Sequence, residues 1–146
     1  MEILNSISQK FADKVEVVEG LDYHTFMVEK DNLLDIVSDL KAVFGFNFMI
    51  DITAVEYDEY IQAVYHFMNL DEKLIIRIKV NLEKDKPVIP SLVNIYKGAD
   101  LQERESFDLM GVKYEGHPNL KRVLCPDEFE GHPLRKDFSM RDRGLK

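Results

Sequence analysis

Cysteine is almost absent from this chain of 146 residues, which contains only Cys125. A single thiol excludes an intrachain disulfide, and it cannot ligate an iron–sulfur cluster by itself. Its isolation is typical of a reducing compartment. The N-terminus lacks a basic region followed by an apolar run, so we expect no secretory signal and a cytosolic location.

Long apolar runs are also missing. A membrane-spanning helix needs roughly 20 predominantly apolar residues. The longest candidate, residues 42–50, contains Gly45 and Asn47 and stops at Asp51. We therefore expect no membrane span, and attachment to a membrane through partner proteins stays open.

Short motifs for catalysis and nucleotide binding are absent too. The sequence has no glycine-rich phosphate loop, no C-x-x-C pair, no G-x-S-x-G turn and no H-E-x-x-H motif. It thus offers no means of its own to hold a nucleotide or a cluster. The features that remain suit recognition better than catalysis.

Basic residues are outnumbered, 19 Lys and Arg against 27 Asp and Glu, and the formal charge is −8. This balance argues against general nucleic-acid binding, which depends on basic surfaces. Residues 1–116 carry 12 basic and 22 acidic side chains, whereas residues 117–146 carry 7 basic and 5 acidic ones. The basic end is either a solvated terminus or a docking surface for an acidic partner.

Local patterns predict an α+β fold with one core, in which helices pack on a mostly antiparallel sheet. Residues 74–82 alternate between apolar and polar side chains, as in a strand with one buried face. Short polar connectors favour hairpins. Helices are predicted at 3–12 and from an Asp31 N-cap to Gly45, strands at 15–18, 23–28, 48–55, 61–68 and 74–82, and the end of the sheet at Pro87 and Pro90.

The last part of the chain begins with a predicted helix, residues 101–110, which opens on an Asp100–Glu103 capping box and ends at Gly111. Repeated glycine and proline then predict turns, with one helical turn near residues 119–124. Scattered apolar side chains favour an anchored segment over a disordered one. We predict an α+β domain at residues 1–115 and an extended, loop-rich C-terminal arm at residues 116–146 within the same structural unit.

The predicted helix 101–110 carries four charged side chains close together. Arg104 and Asp108 are spaced to pair on its surface, and Glu105 and Asp108 share a face that would suit proton transfer. The alternative is an exposed lattice of ion pairs that contributes little to stability. Glu103 completes this group.

Two Gly-His-Pro triplets and the cysteine suggest a second candidate site. His117, Cys125 and His132 are possible metal ligands, although their spacing matches no usual zinc pattern. A metal-dependent enzyme built on them is one hypothesis. In the other, each histidine caps or brackets a turn by hydrogen bonds from its ring, since the residue before proline is held extended.

The C-terminal sequence resembles the family of the 30 kDa or C-type subunit of respiratory complex I. The resemblance covers about 36 residues in two hallmark runs. Tyr114 and Lys121 stand where that family commonly has Phe and Arg. The family-motif residues, expected at an interface, are Glu103, Arg104, Glu105, Asp108, Gly111, His117, Pro118, Leu120 and Arg122 in the first run, and Gly131, His132, Pro133, Leu134, Arg135, Lys136 and Asp137 in the second.

The resemblance implies a non-catalytic subunit of the peripheral arm of an ion-translocating NADH:quinone oxidoreductase. Its arm would dock a large D-type subunit near cluster-bearing B-type and I-type subunits, on the cytoplasmic side of the cell membrane. NAD, FMN, iron–sulfur clusters and quinone would belong to partner subunits, and this chain would bind none of them. Similar short subunits occur in membrane-bound hydrogenases, formate hydrogenlyase and ferredoxin- or F420-linked complexes, and the motif does not separate these alternatives.

Overall fold

The computed structural model describes residues 2–18, 22–125 and 131–136, which form an α+β fold as predicted. The helices are α1 (Glu2–Lys10), α2 (Leu33–Ala42) and α3 (Ala99–Met110). The strands are β1 (Val15–Val18), β2 (His24–Val28), β3 (Phe48–Glu56), β4 (Tyr60–Asn69), β5 (Leu74–Glu83), β6 (Val88–Pro90) and β7 (Lys113–Glu115). Within these residues, no helix is long and apolar enough to cross a membrane.

Five strands form the main sheet in the order β1-β2-β5-β4-β3. The antiparallel pairing of β3, β4 and β5 is confirmed, and β1 and β2 form the predicted antiparallel pair. The parallel pairing of β2 with β5 was not predicted. Short connectors predict which neighbouring strands form hairpins, whereas the pairing of β2 with β5 depends on contacts between residues that are distant in sequence.

One face of the sheet carries the core. Along β5, Leu74, Ile76, Ile78 and Val80 are buried, and the side chains between them are half-exposed, as the alternation predicts. Apolar residues of α1 and α2 join this cluster. Val112 and Tyr114, just before the arm, are also buried in this core.

Two predicted helix starts were wrong. Asp31 lies in a 3-10 turn, Lys30–Asn32, and α2 begins after it without a side-chain cap. The Asp100–Glu103 capping box does not form, because Gly98 occupies the N-cap and the Glu103 carboxylate points into the core. The predicted glycine stop at Gly111 is confirmed by its left-handed backbone (φ +80°).

Pro87 and Pro90 were predicted to end the sheet, but a second, two-stranded sheet follows β5. Strand β6, which ends at Pro90, pairs in parallel with β7. This pairing joins the residues just before the arm to the segment that precedes α3. The predicted helical turn near residues 119–124 was wrong, since these residues form turns and bends.

Candidate functional site

The described part of the C-terminal arm folds back on α3 of its own chain, and Asp108 is the centre of that contact. Its side chain is 0% exposed. Oδ2 accepts backbone N–H bonds from Val123 (3.0 Å), Leu124 (2.6 Å) and Cys125 (2.9 Å). Oδ1 accepts a bond from the guanidinium of Arg122 at 3.0 Å.

The charge on Asp108 is stabilised by these donors. Burial alone would raise the pKa of its carboxyl, but the N–H groups of Cys125, Leu124 and Val123 outweigh that effect and hold the pKa below its ordinary value of 3.8. Arg122 also reaches the second Gly-His-Pro triplet, where Nη2 donates to the carbonyl of Gly131 at 2.6 Å. A single carboxylate and a single guanidinium therefore connect both halves of the arm to α3.

The charge pairs predicted along α3 are not formed. Arg104 donates through Nε to the carbonyl of Lys121 at 3.2 Å, and Asp108 pairs with Arg122 instead. Asp108 is fully engaged, so a proton-transfer pair with the half-buried Glu105 is not supported. The exposed-lattice alternative is also wrong for Glu103 and Asp108, because both are buried.

The second triplet satisfies the C-terminal carbonyls of α3, which have no partners within the helix. The Nδ1–H of His132 donates to the carbonyl of Asp108 at 2.9 Å, and the N–H of Leu134 donates to the carbonyl of Leu109 at 2.9 Å. Arg135 reaches the carbonyl of Met110 at 3.4 Å. The ring of His132 packs over Gly111, where an added Cβ would meet Cδ2 at 2.8 Å.

Glu56, at the end of β3, binds the end of residues 131–136, and the sequence analysis did not predict this contact. Its Oε1 accepts the N–H of Lys136 at 2.6 Å, and its Oε2 lies 3.2 Å from Lys84 and 3.5 Å from Arg135. Burial opposes the charge, but these donors lower the pKa of Glu56. The signal was present: Glu56 continues the inward-facing positions of Ile52 and Ala54, where an acid needs a partner.

Glu103 is the third buried acid of this region. It accepts bonds from the Ser91 hydroxyl at 2.5 Å and from the N–H of Leu92 at 2.7 Å. Burial raises the pKa of Glu103 above its ordinary value of 4.5, in spite of these two donors. It therefore fastens the segment after β6 to α3, in a different electrostatic environment from Asp108.

The ring of His117 brackets a turn and the ring of His132 caps the end of α3, in line with one of the two hypotheses. The ring of His117 is buried; Nε2 lies 2.9 Å from Asp100 Oδ1, and Nδ1 accepts the N–H of Asn119 at 3.0 Å. Among the described residues, no group of three potential ligands is placed to hold a metal, so His117, Cys125 and His132 are not brought together. Burial and the nearby Asp108 carboxylate raise the pKa of Cys125, which disfavours its thiolate.

The remaining motif residues are spread between core and surface. Leu120 packs against the core, and Pro118 is exposed. Leu124 and Leu134 are each 61% exposed, although their backbones are fixed by bonds to α3. Asp137 lies outside the described residues, and the interface role of the whole set stays a prediction.

The sequence of the chain matches those of known proteins. The family model described as "Respiratory-chain NADH dehydrogenase, 30 Kd subunit" matches residues 26–144. The C-type subunit of the NADH-quinone oxidoreductase of Moorella thermoacetica is 50% identical over 138 residues, which cover 93% of each chain.

Solved structures share the fold. The trypsin-resistant fragment of Nqo5 superposes with a TM-score of 0.72 at 23% identity, over 82% of this chain and 100% of the fragment, a likeness of fold alone. A chain in the structure of the membrane-bound sulfane sulfur reductase, an archaeal respiratory membrane complex, superposes with a TM-score of 0.82 at 31% identity. That match covers 95% of this chain and 85% of the other.

Proposed function

The chain belongs to the family of the 30 kDa subunit of respiratory-chain NADH dehydrogenase, and from this we propose that it is a non-catalytic peripheral-arm subunit of an NADH:quinone oxidoreductase. Its C-terminal arm docks a large D-type subunit, near cluster-bearing B-type and I-type subunits. NAD, FMN, iron–sulfur clusters and quinone reside in those partners. The chain lies on the cytoplasmic side of the cell membrane and is attached through them.

The proposed docking role is supported by one observation: the arm has a backbone fixed by hydrogen bonds but exposes large apolar side chains. Asp108 fixes the backbone of Leu124, and Leu109 fixes that of Leu134, yet each leucine side chain is 61% exposed. Displaying large apolar groups on a fixed backbone lowers the entropic cost of binding a partner. Arg122 and Arg135 engage carboxylates of their own chain, so the proposed contacts rely on these leucines more than on the arginines.

A second candidate is the equivalent subunit of another membrane-bound respiratory complex. The match to a chain of the archaeal sulfane sulfur reductase complex, at 31% identity, supports this second candidate. The two candidates share the same docking role and differ in the electron donor and acceptor. These belong to other subunits.

The test is affinity purification of the tagged chain from gently solubilised native membranes, with co-purifying proteins identified by mass spectrometry. We expect a D-type large subunit and cluster-bearing subunits. A flavin-containing NADH module beside them would select the quinone oxidoreductase over the second candidate. Recovery of no large subunit would contradict the docking role.

Leu124→Gln is expected to reduce recovery of the large subunit about tenfold, because burying a leucine contributes about 1.5–3 kcal/mol and a tenfold change needs about 1.4 kcal/mol. The isolated chain should unfold within about 0.5 kcal/mol of the parent, as exposed substitutions usually do. Leu70→Gln is the matched control, because Leu70 is 50% exposed in the turn between β4 and β5. Equal losses in both variants would mean that Leu124 has no specific role in docking.

A further inference from the structure

Strand β3 lies at an edge of the five-stranded sheet, and the direction of its main-chain groups can be established. The N–H of Tyr57 donates to the carbonyl of Tyr60 at the β3–β4 turn, so the odd-numbered residues from 51 to 57, after the register shift in β3, face β4. The N–H of Ile52 donates instead to Gln102 at 2.7 Å, away from β4. Ile52 and Ala54 therefore present their N–H and C=O groups to the free edge, because this direction alternates along a strand.

Gln102 on α3 already binds part of that edge in the way a neighbouring strand would. Its amide accepts from the N–H of Ile52 and donates to the carbonyl of Ile50 at 3.2 Å. Beyond Gln102, no residue in the described ranges bonds the outward N–H or C=O of Ala54. The edge is thus closed at residues 50–52 and open at Ala54.

A groove of about 190 Å³ runs beside the open part of the edge. Its apolar wall is formed by Ile52, Ala54, Leu109, Met110 and Leu134. Glu105 lies at the same groove, and no cation among the described residues is within ion-pair distance of it. The site therefore combines an unpaired strand edge, an apolar slot and one carboxylate.

We infer that this groove binds an extended segment of the large partner protein, which adds to β3 as a sixth strand. Its main chain accepts from the N–H of Ala54 and donates to the carbonyls of Ile52 and Ala54. One apolar side chain of the segment fills the slot beside Leu109 and Leu134, and a basic side chain meets Glu105. This is strand addition, in which main-chain bonds give affinity and side-chain pockets give specificity. The inference rests on the proposed function, because it names the contact made with that partner.

The end of this chain and a second copy fit the groove less well. Leu134 lines the groove beside Ala54, whereas the N–H of Lys136 is bonded to Glu56, two residues further along β3. The described part of the segment therefore passes from Leu134 to Lys136 without bonding a main-chain group of Ala54. A second copy would bring an identical acidic chain of charge −8 and place Glu105 near its own counterpart.

The first test measures amide hydrogen exchange at residue resolution in the isolated full chain and in the purified complex. In the isolated chain, we expect rapid exchange at Ala54 and slow exchange at Thr53 and Val55, whose N–H groups face β4. In the complex, exchange at Ala54 should slow at least about tenfold. Unchanged exchange in a complex that still contains the large subunit overturns the inference and leaves the proposed function standing.

Two other outcomes would identify a different occupant and also overturn the inference. Slow exchange at Ala54 in the isolated chain that becomes fast on deletion of residues 137–146 would assign the groove to the chain's own end. Protection that depends on the concentration of the isolated chain would assign it to a second copy. If no complex is recovered, the proposed function fails instead.

A variant tests the same main-chain bond. Ala54→Pro removes the outward N–H without removing a bond to β4, and proline is tolerated on edge strands in that orientation. We expect retained folding and at least about tenfold weaker association with the large subunit. Ala54→Val adds similar volume to the groove wall and keeps the N–H, so it should associate at least about tenfold more tightly than the proline variant. Equal association of the proline and valine variants would contradict strand addition.

Discussion

Asp108→Asn is expected to lower the free energy of unfolding by about 3–5 kcal/mol, the cost of breaking a buried ion pair from one side. The asparagine offers one oxygen where the carboxylate accepts three N–H bonds and the guanidinium of Arg122. Its NH₂ group would also face other donors. Urea unfolding of the isolated chain measures the loss, and limited proteolysis after residue 115 should show faster cleavage of the arm.

Glu103→Gln is the matched control, since it makes the same carboxyl-to-amide change at another fully buried position of α3. Here the Ser91 hydroxyl can turn to accept from the new NH₂ group, and the N–H of Leu92 keeps an oxygen. We expect a change within about 1 kcal/mol, the usual net worth of one hydrogen bond. Equal destabilisation by both variants would show that burial of a carboxyl, not its network, sets the cost at Asp108.

The same carboxylates predict the dependence of stability on pH. The pKa values of Asp108 and Glu56 are lowered in the folded chain, so their stabilisation is present above the ordinary values of 3.8 and 4.5 and is lost as the pH falls through the folded values. Glu103 acts in the opposite direction. Its pKa is raised, so it destabilises the fold increasingly as the pH rises above 4.5 through its folded value.

Comparison of the two variants with the parent separates these contributions. Asp108→Asn should show a shallower loss of stability below about pH 4 than the parent. Glu103→Gln should gain stability relative to the parent as the pH rises towards 7. Unfolding free energies at matched pH values measure both, and parallel curves for all three proteins would contradict the assignment of the shifts.

Gly111→Ala is expected to cost more than the about 1–2 kcal/mol that a left-handed backbone costs an ordinary residue. Its φ is +80°, and an added Cβ would lie 2.8 Å from the ring of His132, which is bonded to Asp108 and cannot move freely. The substitution therefore strains the end of α3 and pushes the second triplet off the helix. Thermal or urea unfolding of the full chain measures the effect.

Substitutions at two other glycines separate the cost of backbone strain from the cost of contact with His132. Gly116 also has a positive φ, +84°, but nothing lies within 4 Å of its added Cβ, so Gly116→Ala measures backbone strain alone. Gly98, with φ −64°, has neither problem, and Gly98→Ala should change stability by less than about 1 kcal/mol. Destabilisation in the order Gly111, Gly116, Gly98 is expected. Equal costs at Gly111 and Gly116 would mean that contact with His132 adds nothing.

Several parts of the candidate site were predictable because they depend on short stretches of chain. Gly111 ends α3 in the sequence-predicted conformation, and the ring of His117 brackets its own turn. The predicted partner of Asp108 was wrong, because spacing along a helix favours Arg104, whereas the folded arm brings in Arg122, which lies 14 positions after Asp108. Glu56 was missed altogether, since its bond to Lys136 spans 80 positions.

By itself, the sequence determined the presence of the helices, the hairpin strands, the alternation of the core and the motif that identifies the family, because periodicity and turns act over a few residues. Tertiary structure alone decided the parallel joining of β2 to β5, the small sheet of β6 and β7, and the partners of the three buried carboxylates. The physical reason is burial. A carboxylate removed from water must take whatever donors the fold brings to it, and those donors come from distant parts of the chain.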